Sequence, residues 1–123
     1  MREFGRSENG VLLKLTCLPS DVAALVAAIE RRTGASPQVV AHAGNGIVYV
    51  ALPEAEDAEK VRQIVGEAIE RGGSGVVERA PLELKRQIDG WGPARGDFPL
   101  MQALKAQFDP QGILNPGRFV GGI

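Results

Sequence analysis

The sequence predicts an α+β fold of the ferredoxin-like sandwich type, and three observations lead to it. Residues 11–18 alternate as a strand with one apolar side. Two segments, from Val22 and from Glu54, repeat apolar residues at helical spacing. Two further strand-like runs flank Asn45-Gly46, a strong short hairpin signal. The resulting order is strand, helix, strand, strand, helix, strand. With right-handed crossovers, that order packs two helices on one face of an antiparallel sheet. The other face is left for solvent, a partner or another part of the chain.

In the first strand Val11, Leu13, Leu15 and Cys17 take one side, and Leu12, Lys14, Thr16 and Leu18 the other. Pro19-Ser20-Asp21 offers a helix cap. Val22, Leu25, Val26 and Ile29 then form an apolar stripe that ends at Gly34, a residue tolerant of the left-handed conformation. Gln38 to His42 and Ile47 to Leu52 read as strands. If Asn45-Gly46 is a two-residue turn, Gly44 pairs with Ile47 and His42 stands opposite Tyr49. The second helix runs from about Glu54 to Arg71, with Val61, Ile64, Val65, Ala68 and Ile69 as its stripe. Glu54, Glu56, Asp57 and Glu59 sit at its positive dipole end. Gly72-Gly73 ends it, and Gly75 to Ala80 supplies a weaker fourth strand.

From Pro81 the pattern changes. Leu82 to Ile88 makes a short helix and Trp91 to Gly96 a loop. Asp97 to Phe108 makes another helix, with Asp97 as cap, Pro99 in the first turn, and Met101, Leu104 and Phe108 on one face. Asp109-Pro110 ends it, because proline disfavours helix in the residue before it. The expected organisation is a single domain, 1–123. It comprises a ferredoxin-like core at 10–80, a helical extension at 81–108 and an extended tail at 109–123.

Composition excludes several functions. The chain has 123 residues, 44% hydrophobic and 24% charged, with 14 basic and 15 acidic side chains and a net charge of -1. A nucleic-acid surface would need a basic face, and a base-stacking platform would need more than 5% aromatic residues. The lone Cys17 cannot form an internal disulfide or a cysteine-built zinc site, which suits a reducing cytosol. No apolar run is long enough to cross a bilayer, so membrane association is expected only through partner subunits. Gly72-Gly73-Ser74-Gly75 follows a helix and precedes a strand, the wrong order for a phosphate loop.

The sharpest signal is the tail, Asp109-Pro110-Gln111-Gly112-Ile113-Leu114-Asn115-Pro116-Gly117-Arg118, introduced by Met101 to Phe108. It resembles the C-terminal signature of the FAD-linked oxidases related to vanillyl-alcohol oxidase. Trp91-Gly92-Pro93 and the ending Arg118 to Ile123 are most similar to the smaller flavin-type subunit of bacterial glycolate oxidase. The resemblance implies FAD, a 2-hydroxy-acid oxidase or dehydrogenase activity, and a substrate-side role for this domain. It implies as partners an N-terminal FAD-binding domain of the same subunit, a larger flavin subunit and an iron–sulfur subunit. No such flavin domain is expected within these residues, so the chain alone is expected to be inactive and to hold no FAD.

By the same resemblance, Asn115 and Arg118 are cofactor-binding candidates. Donors beside a reduced flavin stabilise its negative charge. Read by spacing alone, Asn115-Pro116-Gly117 is simply a turn. Leu114, Phe119, Val120 and Ile123 would leave an extended tail wet, so without a flavin domain it is expected to be mobile, or captured by the open sheet face or a neighbour.

Ala41 to Tyr49 resembles the family's His-x-Gly-x-Gly-x-x-His motif, which holds a metal in several 2-hydroxy-acid dehydrogenases. His42 matches the first histidine, whereas Tyr49 replaces the second. A phenol is a poor ligand for a divalent metal beside neutral imidazole, so no metal is expected. His42 and Tyr49 remain the catalytic candidates. The alternative is a surface or half-buried histidine bonded to Tyr49, with Lys14 and Thr16 as ordinary solvated strand positions. The alternative for the whole chain is a free-standing ligand-binding or regulatory module of this fold.

Overall fold

The computed structural model describes residue 7 and residues 9–33, 37–54 and 57–123. They form two compact units that divide between Gly90 and Trp91. The first contains β1 (Val11–Thr16), α1 (Val22–Thr33), β2 (Gln38–His42), β3 (Ile47–Leu52), α2 (Ala58–Glu70), β4 (Ser74–Arg79) and the short α3 (Leu82–Lys85). The second contains α4 (Phe98–Phe108) and the tail.

The four strands form one antiparallel sheet in the order β2-β3-β1-β4. This is the ferredoxin-like arrangement that the element order predicts. Each central strand buries alternate residues: Val11, Leu13 and Leu15 on β1, and Val48, Val50 and Leu52 on β3. They pack with Leu25 and Ile29 of α1 and Val61 and Ile64 of α2. Leu84 of α3 joins the same core, with Ile88 packed against it, so this part of the helical extension belongs to the first unit. Ile69, expected in the buried stripe of α2, is 38% exposed. It lies next to the helix end, where the chain turns away.

Local chemistry explains the helix ends. The Asp57 carboxylate accepts the Lys60 N–H at 2.7 Å, capping α2. Pro19–Asp21 forms a single 3₁₀ turn leading into α1 in place of a side-chain cap. Gly34, read as the stop of α1, and Glu56, read in the first turns of α2, lie outside the described residues.

The two helices are also joined by charge, which the apolar pattern does not reveal. Glu67 on α2 is 8% exposed. Its carboxylate accepts Arg32 Nε of α1 at 2.6 Å and Arg71 Nη1 at 2.7 Å. The Arg71 and then the Arg32 hydrogen bonds hold its carboxyl below the ordinary glutamate range, against the opposing effect of burial. A depressed folded value means the stabilisation is full above the unfolded pKa of about 4.3 and fades as pH falls through the folded one. Glu67→Gln is therefore expected to cost about 1–3 kcal/mol at pH 7, where a hydrogen-bonded charge is lost. Urea melts of both chains should converge at low pH. An equal gap at pH 7 and pH 3 would show that the carboxylate charge contributes nothing.

Candidate functional site

Two groups of candidate residues emerge, one in each unit. The first lies on the sheet face opposite α1 and α2. Cross-strand register places Val40, Tyr49, Lys14 and Val76 in one row, and His42, Ile47, Thr16 and Ser74 in the next. The Thr16 and Ser74 hydroxyls meet at 2.8 Å. His42 and Tyr49 touch edge to face, with ring centroids 6.1 Å apart and planes at 78°.

The hairpin register differs from the expected one. His42 pairs with Ile47, and Tyr49 pairs with Val40. The connection is the four-residue loop Ala43-Gly44-Asn45-Gly46, closed by the Asn45 N–H to the His42 carbonyl at 3.1 Å. A type I′ turn needs left-handed backbone at both central residues, and among the described residues only Asn115 is a non-glycine with positive φ. The pairing moved by an even step, so His42 and Tyr49 keep a common face and meet diagonally. Gly46 explains the choice. Its φ is +70°, and a β-carbon there would collide with the Cys17 carbonyl oxygen. Its own carbonyl accepts the Cys17 N–H at 2.9 Å. The loop is thus fixed by the end of β1 rather than by Asn-Gly alone.

The second group lies in the tail. Asn115-Pro116-Gly117-Arg118 is a tight turn, with the Arg118 N–H donating to the Asn115 carbonyl at 3.2 Å. Proline second and glycine third, with Gly117 at φ +71°, is a type II pattern. Asn115 itself sits at φ +47°, a conformation asparagine tolerates better than most residues. Asn115 and Arg118, at the first and last positions of the turn, line a pocket of ≈ 460 Å³ with Met101, Leu104, Leu114 and Phe119 among its walls. Neither the Asn115 amide nor the Arg118 guanidinium has a hydrogen-bond or ion-pair partner among the described residues. These donors are free for a ligand with acceptor atoms.

The tail is turned rather than extended, and it docks on its own helix. Trp91 Nε1 donates to the Arg118 carbonyl at 3.1 Å, and the Trp91 and Phe119 rings meet edge to face at 5.0 Å. Asp109, 7% exposed, receives the Ile113 and Leu114 N–H groups at 3.0 Å each. Sequence reasoning treated Asp109 only as a helix stop and gave Lys105 no role. A signal existed: an acidic residue at a helix C-terminus opposes the helix dipole and needs a partner. Lys105, one turn earlier, is that partner at 2.6 Å.

Among the described residues no cluster of three metal-ligating side chains occurs. No helix among them is long and apolar enough to cross a membrane.

A ferredoxin-like sandwich followed by a helix and a braced Asn-Pro-Gly-Arg turn defines a class. The sequence matches the family described as FAD linked oxidases, C-terminal domain, over residues 2–119, and the chain belongs to that family. It is similar to the glycolate oxidase subunit GlcD of Bacillus subtilis (strain 168), 38% identical over 92 residues, an alignment that takes in 63% of this chain. The aligned part spans only 18% of that relative's length. No solved structure matches the chain.

The donor set can be tested against the FAD that the family name carries. An amide and a guanidinium beside an apolar wall suit the acceptor-bearing edge of a flavin ring. A dinucleotide's pyrophosphate is commonly cradled by a glycine-rich turn between a strand and a helix N-terminus. The described residues contain no such turn.

Proposed function

We propose that this chain is the substrate-side domain of an FAD-dependent oxidase or dehydrogenase acting on a small 2-hydroxy acid of the glycolate type. The observation that carries the reading is the pair of donors, Asn115 and Arg118, at the corners of one turn, unpartnered among the described residues, in a chain of this family. The name of the relative, a glycolate oxidase subunit, supports the substrate class.

In this reading FAD, when bound, would supply the acceptor for the hydride equivalent of the substrate carbon, and Asn115 and Arg118 would hold the ring by its acceptor atoms. His42 accepts the substrate hydroxyl proton, and the edge contact with Tyr49 fixes its ring. Lys14, directly across from Tyr49, gives the same face a positive charge for a carboxylate. The FAD-binding domain precedes this one in the same subunit. A larger flavin subunit and an iron–sulfur subunit complete the assembly, which works in the cytoplasm.

The test is His42→Gln in the flavin-loaded subunit, with glycolate as substrate. The rate of flavin reduction is expected to fall about 10²- to 10⁴-fold, the range for a lost general base. Flavin content and absorbance are expected to stay unchanged. A reduction rate equal to that of the parent would remove His42 from the reaction.

A further inference from the structure

We infer that Asp109, Lys105 and Trp91 are positioning residues. Together they clamp both ends of the Asn115–Arg118 turn and so present its two donors. The inference rests on the proposed role of that turn, but not on any property of a bound flavin.

The clamp at the first end grips a single residue, Leu114, through both of its peptide groups. Asp109 Oδ2 accepts the Leu114 N–H at 3.0 Å, and Lys105 Nζ donates to the Leu114 carbonyl at 2.5 Å. The two side chains are themselves bonded at 2.6 Å, four residues apart on one helical end. Asp109 Oδ1 also takes the Ile113 N–H at 3.0 Å. The carbonyl that Lys105 grips belongs to the peptide leading into Asn115, the non-glycine residue held at φ +47°. A left-handed conformation in such a residue persists where its surroundings fix it.

The clamp at the second end is the indole of Trp91. It bonds the Arg118 carbonyl at 3.1 Å and stacks its edge on Phe119. Between the two clamps the turn closes on itself, through the Arg118 N–H to the Asn115 carbonyl. Every bracing bond therefore goes to backbone. The side chains of Asn115 and Arg118 are held by none of them and stay available.

The ionised form of Asp109 is the one that fits, because its oxygens only accept here. The Lys105 bond, followed by the Leu114 and Ile113 N–H groups, holds its carboxyl below the ordinary aspartate range against burial. Lys105 is the charged group acting on it among the described residues. The clamp is therefore complete above the ordinary aspartate range and opens as pH falls through the depressed folded value.

The experiment uses the ¹⁵N-labelled 123-residue chain without flavin and reads amide hydrogen exchange and chemical shifts residue by residue. Ile113 and Leu114 are expected to be protected in the parent, with shifts that follow one titration below the usual aspartate range. Asp109→Asn should abolish that titration, lower protection at both amides at least about tenfold, and move the Asn115 and Arg118 resonances, with the sheet unaffected. Lys105→Met keeps the carboxylate, so it should preserve the two amide bonds while raising the titration midpoint. It serves as the second variant if Asp109→Asn disorders the helix. Trp91→Phe should disturb Arg118 and leave Leu114 protected. Unprotected Ile113 and Leu114 in the parent, or Asn115 and Arg118 resonances indifferent to Asp109→Asn, would overturn the inference. A clamp that passes these tests while Arg118→Ala leaves catalysis intact would count against the proposed function alone.

Discussion

Arg118→Ala in the flavin-loaded subunit is expected to lower kcat/KM for the 2-hydroxy acid about 10²- to 10³-fold, the usual loss when one pre-aimed donor leaves a site of developing charge. The guanidinium has no partner among the described residues, so its removal strands no other described group. A loss of activity then reports on the ligand it serves and not on the fold. Arg118→Lys should recover only part of the loss, because an ammonium lacks the planar fork. Asn115→Gly is the matching variant at the other corner of the turn. It deletes the amide while keeping a residue at ease at φ +47°. Both are read by stopped-flow flavin reduction together with the flavin absorbance maximum. Parent-like values in both variants would remove the turn from the flavin site.

Gly46→Val is expected to be the most damaging single change in the β2–β3 loop. A branched residue at φ +70° carries backbone strain of about 1–3 kcal/mol. Its β-carbon would also collide with the Cys17 carbonyl, a backbone atom that cannot move without opening the end of β1, and overpacking of this kind adds about 1–3 kcal/mol. Gly44→Ala is the control, since a β-carbon there meets nothing within 4 Å. Thermal melts should show a large fall in Tm for the first and little change for the second. The Gly46 variant that still folds should lose the His42–Tyr49 ring contact, visible as altered ring-proton shifts. Equal stability in the two variants would mean that the loop does not depend on the close approach to β1.

Much of the fold was legible because it is written in periodicity. Val11, Leu13 and Leu15 alternate and are buried, and Leu25, Ile29, Val61 and Ile64 recur at helical spacing and face them. Those patterns record which side of each element is apolar, and burial of that side drives the packing. Ile69 fits the same period and is 38% exposed, because a period does not say where the partner surface stops. Glu67 breaks the pattern in the other direction. Its burial depends on two arginines, one of them 35 residues away, and no local rule brings them together.

The candidate site divides along the same line. By itself the sequence determined the βαββαβ order and the common face of His42 and Tyr49. Face is a matter of parity along a strand, and parity survives a register shift of two. Only the tertiary structure decided the register itself, because Gly46 is held by the end of β1, a contact between distant residues. It also decided that the tail turns back onto α4, since an extended and a folded tail share one sequence until Asp109, Lys105 and Trp91 find backbone groups to bind. Local propensities are set by neighbours in the chain. Hydrogen bonds from side chains to distant backbone form only once the helix and the tail have come together.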